Sequence, residues 1–183
     1  MNDDLVIGVD IGTSGVRAVA LDRQGEVVSA ARCRFADLSD DARDPLAWAA
    51  LADEALAAVL RSVDRKAVRA IAVDGTSGTM LAVDETGTPG ARPLMYDDPI
   101  TDADVLERIG AVAPADSAVL APTSGLAKAL VLQRAPGVVH LLHQADWIAA
   151  RLSGRWDASD ENNALKTGYD PIEQRWGQWM ADT

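Results

Sequence analysis

Apolar residues in the first part of the chain form short runs in which they alternate with polar residues. Three such runs, at about 5–10, 16–21 and 26–35, predict an antiparallel meander of β-strands. A longer stretch then repeats its apolar residues at helical spacing, with Asp44 as N-cap and Pro45 as the first helical residue. The residues predicted for the buried face of this helix are Trp48, Ala52, Ala55, Leu56, Val59, Leu60 and Val63.

The next apolar run, at 68–74, is typical of a strand buried in a parallel sheet. A meander, a crossover helix and a parallel strand together predict an α/β domain with a mixed sheet and flanking helices. Further strands are expected at 80–84 and 93–98. Beyond residue 100 the predicted helices are 102–109, 123–134 and 144–152. No linker rich in Pro, Gly or Ser separates these elements, so one domain over 1–183 is predicted.

Composition and charge narrow the class of protein. A hydrophobic content of 48% is typical of a globular protein. The net charge of −11 argues against nucleic acid or an anionic membrane as a partner, because both need basic patches. Cys33 is the single cysteine, which leaves no disulfide framework or zinc cluster. The acidic start and the lack of a membrane-length apolar run predict a cytoplasmic location.

The first candidate chemistry lies between the first two predicted strands, where residues 8–17 read Gly-Val-Asp-Ile-Gly-Thr-Ser-Gly-Val-Arg. A tight turn here brings backbone N–H groups together with the hydroxyls of Thr13 and Ser14 and with Arg17, a combination that suits an anion. Asp10 can face Mg²⁺, which binds one or two carboxylates together with phosphate oxygens. Taken by itself, a hairpin whose glycines only relieve backbone strain is an equal interpretation.

A second candidate cluster reads Asp-Gly-Thr-Ser-Gly-Thr over residues 74–79, directly after a predicted strand. Small and hydroxyl-bearing residues at the carboxyl end of a strand let a polyol approach the backbone. Taken by itself, a simple turn capped by Asp74 is the favoured interpretation. Asp97 and Asp98 follow as paired carboxylates, which either face solvent or accept hydrogen bonds from sugar hydroxyls.

Taken in order, these segments resemble the N-terminal domain of the FGGY family of carbohydrate kinases, within the actin/hexokinase/sugar-kinase superfamily. The hairpin carries Asp-x-Gly-Thr-x-x-x-Arg, residues 124–128 read Ser-Gly-Leu-Ala-Lys, and residues 146–154 read Asp-Trp-x-x-x-x-Leu-Ser-Gly. The resemblance covers nearly the whole chain and implies a ribonuclease H-like mixed sheet. It implies an N-terminal domain only, with the C-terminal ATPase domain and the general base outside these residues.

The implied reaction is transfer of the γ-phosphoryl group of ATP to a pentulose such as D-ribulose or D-xylulose. The cofactors are then ATP and Mg²⁺, with Asp10 as the metal ligand, and the small-molecule partner is the sugar. The residues implied at the ATP phosphates are Asp10, Gly12, Thr13, Ser14 and Arg17. The residues implied at the sugar are Ser77, Gly78 and Asp98. With no catalytic base within it, this chain alone is expected to have no appreciable kinase activity.

Within the family, the turn at 74–79 is most similar to that of the D-ribulose kinases, whereas xylulose kinases carry a Met-His pair at the positions of Ser77 and Gly78. Ile100 departs from the family's usual Arg, which bears on sugar specificity. The alternative function is a non-catalytic nucleotide- or sugar-binding module. A hexokinase-like or acetate-kinase-like enzyme is disfavoured, because the Asp-x-Gly-Gly-Thr hairpin is absent.

The remaining polar residues are predicted to be structural. His140 and His143 lie three residues apart, as on one face of a helix, and no third metal ligand is near them in sequence. Lys128 is expected to be a solvated side chain rather than a phosphate ligand. A kinase domain without its partner domain is expected to expose an apolar surface, or to cover it in a homo-oligomer.

Overall fold

The predicted meander forms the first sheet of the computed structural model, which describes residues 4–39 and 41–183. The strands of this sheet are β1 (Leu5–Gly12), β2 (Gly15–Leu21), β3 (Val27–Arg34) and β4 (Val68–Gly75). Their order is β3-β2-β1-β4, with β1 antiparallel to β2 and parallel to β4. The chain divides into two units, Met1–Thr76 and Ser77–Thr183, and this sheet belongs to the first. The mixed sheet with flanking helices confirms the predicted fold class.

One face of the sheet is covered by α1 (Pro45–Ser62), the helix that the apolar spacing predicts. Asp44 caps it by accepting a hydrogen bond from the N–H of Leu46 at 2.9 Å. The helix packs mainly against β2 and β3. Of the residues predicted for its apolar face, Leu60 and Val63 are half-buried and the others are buried. The helical periodicity therefore gives the right core face for this unit.

The edge strand β4 is parallel to β1, as predicted, but the prediction that it is buried is wrong. Ile71 is 41% exposed, and its neighbours Ala70 and Ala72 are exposed as well. The reason is that α1 lies over β2 and β3 and does not extend across β4. On β1, Val6 is likewise 45% exposed. Part of the apolar surface of this sheet is therefore open to solvent.

The second unit combines a two-stranded antiparallel sheet, a small hairpin and four helices among its described residues. The strands are β5 (Met80–Val83), β6 (His140–His143), β7 (Tyr169–Asp170) and β8 (Arg175–Trp176), with β5 paired to β6 and β7 to β8. The helices are α2 (Ala103–Val112), α3 (Gly125–Leu132), α4 (Gln144–Ser153) and α5 (Glu161–Leu165). The first three confirm the predicted helices. Across the residues described, no helix has the length and apolar character needed to cross a membrane.

The placement of His140 and His143 on one helix face is wrong, because they are the two ends of strand β6. Their register partners on β5 are Val83 for His140 and Met80 for His143. Only after His143 does the chain enter α4. Pairing with β5 therefore overrides the helical spacing of the two histidines.

The run at 93–98, predicted to be a strand, is extended only at its start. Leu94 forms a single bridge with Met80, through hydrogen bonds of 2.8 and 2.9 Å. The chain then turns, because the N–H of Asp98 donates to the carbonyl of Met95 at 3.0 Å. The N–H of Met95 in turn donates to the carboxylate of Asp98 at 2.8 Å. The Asp98 side chain thus stabilises a turn, and the strand does not continue past Leu94.

Candidate functional site

The hairpin predicted to bind phosphate turns through only two residues, Thr13 and Ser14, and both are exposed. Gly12 and Gly15 form the register pair that closes it. Gly15 has φ +153°, and a Cβ at this position would overlap the carbonyl oxygen of Cys33 on β3. Only glycine therefore lets β3 approach the hairpin this closely, and the two hydroxyl side chains lie at a tip that the sheet holds in place.

Three charged side chains lie beside this hairpin, in the same unit. The Nη1 of Arg17 is 3.3 Å from the Oδ2 of Asp10, in an exposed ion pair. Asp74 is the register partner of Asp10 on the parallel strand β4, so the two carboxylates project from the same face of the sheet. All three line an apolar cavity of about 350 Å³ that also includes Gly8 and Ala72. Two carboxylates beside a hairpin of this kind suit the oxygen-donor preference of Mg²⁺.

In the second unit, both polar backbone atoms of Gly78 are hydrogen-bonded to buried side chains. Gly78 has φ +87°, a conformation that favours glycine. Its N–H donates to the Nδ1 of His143 at 3.3 Å. Its carbonyl accepts a hydrogen bond from the Nζ of Lys128 at 2.8 Å. Ser77, the other residue predicted to contact sugar in this turn, is half-buried beside it.

The segment that contains Asp98 lies against this turn. The hydroxyl of Thr79 accepts a hydrogen bond from the N–H of Tyr96 at 3.1 Å. The carbonyl of Thr79 accepts one from the N–H of Gln144 at 3.0 Å. An added Cβ on Gly78 would lie 4.0 Å from Tyr96, at ordinary contact distance. The structure therefore brings the predicted sugar residues Ser77, Gly78 and Asp98 into neighbouring segments of one unit.

Lys128 is a buried cation of this site, and the prediction that it is solvated is wrong. The side chain is fully buried, and its Nζ donates to the carbonyl oxygens of Gly78, Tyr96 and Thr123 at 2.8, 2.9 and 2.9 Å. Burial lowers the pKa of Lys128 to about 8, against the opposite effect of the negative charge of Asp98. The three carbonyls match the three N–H donors of an ammonium group, which explains how a charge is accommodated here.

His143 is the second buried titratable group at the turn, with 4% of its surface exposed. Burial lowers its pKa to about 4, so the ring is neutral at neutral pH. Because Nδ1 accepts a hydrogen bond from Gly78, the ring proton is assigned to Nε2. That Nε2 is buried and has no hydrogen-bond partner among the described residues. His143 also lines a cavity of about 470 Å³ together with Trp156, Asp160 and Tyr169.

Asp146 joins α4 to α5 and to the segment that precedes α5. Its carboxylate accepts hydrogen bonds from the Oγ of Ser159 at 2.7 Å and from the Nδ2 of Asn163 at 3.3 Å. Burial raises the pKa of Asp146 to about 6, and the negative charge of Asp160 adds to the rise. This network holds one wall of the 470 Å³ cavity, which Ser159 and Asp160 line.

Ile100, at the position where the family usually has Arg, belongs to an apolar cluster. It is 7% exposed and packs with Val105, Ile109 and Leu126. Its N–H donates to the carbonyl of Pro122 at 2.9 Å. An apolar side chain therefore anchors the chain just after Asp98, where the resemblance leads one to expect a charged residue.

Comparison with known proteins gives one family and several similar folds. The model of the N-terminal domain of the FGGY family of carbohydrate kinases matches residues 5–110, more than half of the chain. A xylulose kinase from Rhodospirillum rubrum is similar in structure with a TM-score of 0.73 and 23% identity, over 97% of this chain and 40% of that one. A xylulose kinase and a gluconate kinase, both from Lactobacillus acidophilus, give TM-scores of 0.77 and 0.76 at 16% identity, each over 98% of this chain and 39% of theirs. At these identities the likeness shows the fold. The chain spans about two fifths of the length of these structures.

Proposed function

The chain belongs to the FGGY family of carbohydrate kinases, and we propose that its protein transfers the γ-phosphoryl group of ATP to a hydroxyl of a pentulose, D-ribulose or D-xylulose. The observation that carries the proposal is the β1–β2 hairpin, in which Asp10 and Arg17 flank two exposed hydroxyls. The turn at 74–79, similar to that of the D-ribulose kinases, favours D-ribulose. The proposal includes a cytoplasmic location, where ATP is available to the reaction.

On the nucleotide side, the hairpin residues position the phosphates. The hydroxyls of Thr13 and Ser14 donate to phosphate oxygens, and the guanidinium of Arg17 neutralises negative charge. Asp10 is the carboxylate that would hold Mg²⁺, with Asp74 beside it on the neighbouring strand. When bound, the metal ion neutralises charge that develops on the transferred phosphoryl group.

On the sugar side, Gly78 leaves the turn without a side chain that would block the ligand, the hydroxyl of Ser77 exchanges hydrogen bonds with sugar hydroxyls, and the carboxylate of Asp98 accepts them. Phosphoryl transfer depends mainly on positioning and charge neutralisation. The sugar residues contribute positioning, and Arg17 contributes positive charge on the nucleotide side. A general base that accepts the proton of the sugar hydroxyl adds about 10²–10⁴-fold in rate. Following the family resemblance, we assign that base to a part of the protein outside this chain.

Substitution of Asp10 in the whole protein tests the proposal. Asp10→Asn removes the negative charge that would hold Mg²⁺. It is expected to lower the affinity for Mg-ATP, measured by calorimetry, and the rate of ketose phosphorylation, each by about tenfold or more, or about 1.4 kcal/mol. Asp116→Asn, which changes an exposed carboxylate in another loop, is the matched control and should change neither. Unchanged values for Asp10→Asn would refute the assignment. Binding of Mg-ATP or of sugar with no turnover by the unmodified protein would favour the non-catalytic module instead.

A further inference from the structure

We propose that Lys128 and His143 are positioning residues for sugar recognition, because together they hold both polar backbone atoms of Gly78. The inference rests on the proposed function, in which this turn contacts the sugar. It adds to the site two residues that the sequence analysis did not include among the residues contacting sugar. Neither is proposed to touch the sugar, and both act through the backbone of Gly78.

The two side chains reach Gly78 from different elements, so their effects on the turn are complementary. His143 ends β6 and accepts from the N–H, whereas Lys128 lies in α3 and donates to the carbonyl. Rotation of the peptide on either side of Gly78 would therefore break one of these hydrogen bonds. Lys128 also donates to the carbonyl of Tyr96, so a single Nζ ties the turn to the segment that leads to Asp98.

The choice of residue types supports a positioning role over simple packing. A buried histidine whose Nε2 has no partner within the described residues carries a cost that a leucine of similar size would avoid. A fully buried ammonium likewise costs more than an apolar side chain. The presence of His143 and Lys128 is explained if a fixed position of the Gly78 backbone matters more to the protein than the stability that these two buried polar groups cost. Displacement of a substrate-contacting group by about 1 Å can cost about 10²-fold in rate.

Kinetics of variants in the whole protein test this inference. His143→Leu keeps an apolar side chain of similar size without the acceptor, whereas His143→Asn keeps an acceptor oxygen at the place of Nδ1. Lys128→Met keeps the length of the side chain without its donors, and Lys66→Met, an exposed lysine of the first unit, is the matched control. For each variant, kcat and the separate KM values for sugar and for ATP are measured with the best substrate among D-ribulose, D-xylulose, D-gluconate and glycerol. Thermal unfolding is measured alongside.

We expect His143→Leu and Lys128→Met to raise the sugar KM by about tenfold or more, with the ATP KM changed by less than about twofold. His143→Asn should restore the sugar KM to within about threefold of the unmodified protein, and Lys66→Met should match that protein. A merely structural role predicts a lower unfolding temperature for all three site variants, with no selective change in the sugar KM.

Two results with the His143 variants would overturn the inference. One is a sugar KM unchanged in His143→Leu, and the other is His143→Asn as impaired as His143→Leu, since the ring would then act by volume. If Lys128→Met does not fold, the two His143 variants decide the matter. Failure of the unmodified protein to phosphorylate any of the four compounds overturns the proposed function, and this inference with it. Normal turnover with an unmoved sugar KM overturns this inference alone.

Discussion

Replacement of His143 by Asn should make the stability of the protein less sensitive to acid. The ordinary pKa of histidine is 6.5, and burial lowers that of His143 to about 4. The folded state therefore binds fewer protons than the unfolded state between these two values. The stability contributed by the neutral ring is therefore complete above pH 6.5 and is lost as pH falls towards 4.

The magnitude follows from the same two pKa values. At about pH 5, which stays above the isoelectric point of about 4.5, the loss relative to neutral pH is about 2 kcal/mol. Asparagine has no group that titrates in this range, and its Oδ1 can accept the hydrogen bond from the N–H of Gly78. The free energy of unfolding of the unmodified chain should therefore fall by about 2 kcal/mol more than that of His143→Asn between about pH 7.5 and about pH 5.

Urea denaturation at the two pH values and constant ionic strength, followed by tryptophan fluorescence and circular dichroism, measures the difference. Asp146 titrates in both proteins, so its contribution largely cancels. His143→Leu separates titration from hydrogen bonding. It should show the same flattened pH dependence, because leucine does not titrate, while its stability at neutral pH reflects two opposing changes: the N–H of Gly78 loses its acceptor, and the unpartnered Nε2 is removed from the interior. Parallel stability curves for the unmodified chain and His143→Asn would refute the claim that a neutral, buried ring at this position responds to acid.

Three further predictions concern other parts of the two units. Because burial raises the pKa of Asp146, ionisation of this carboxyl lowers the stability of the folded state as pH rises towards 6. The free energy of unfolding of Asp146→Asn, measured by urea denaturation, should therefore rise relative to that of the unmodified chain over that range. A difference between the two proteins that does not change with pH contradicts this. Gly15→Ala should lower the unfolding temperature more than Gly25→Ala, since both glycines have positive φ but only Gly15 lies against the Cys33 carbonyl; equal losses contradict it. Ile100→Arg, which restores the residue usual in the family, should destabilise the second unit by about 3 kcal/mol or more, because it buries a charge. An unchanged unfolding temperature would show that the charge reaches solvent.

Elements with strong local signals could be predicted from the sequence. The helix α1 has a capping Asp44 and a long apolar period, so its start and its buried face follow from nearby residues. The strand β6 has only four residues, and its pairing partner β5 lies almost sixty positions earlier in the chain. Four residues are too few to show the two-residue alternation of a strand clearly, so the three-residue separation of His140 and His143 indicates a helix instead. The run at 93–98 fails for another reason, because the Asp98 side chain takes the N–H of Met95 and turns the chain.

The candidate site divides in the same way. The residues predicted for phosphate and sugar lie in contiguous segments whose chemistry can be read locally. Lys128 and His143 bind Gly78 from 50 and 65 positions away in the sequence, and the residues next to them in the sequence do not indicate this partner. One signal was present for Lys128: it is the single charged residue of α3, which reads Gly-Leu-Ala-Lys-Ala-Leu-Val-Leu. A lone charge in an apolar helix favours a buried group with acceptors gathered around it.

Under the proposed function, the fixed backbone of Gly78 also limits how sugar preference can be altered in this turn. Both of its polar atoms are used by the protein, so discrimination depends on the neighbouring side chains and on the space above the glycine. The histidine that xylulose kinases carry at this position would need the left-handed φ of +87°, with its Cβ against Tyr96. Such a residue would strain the turn or move it, and movement would break the hydrogen bonds to Lys128 and His143. Exchange of one residue therefore cannot transfer a xylulose-kinase turn to this chain, because its supporting side chains would have to change with it.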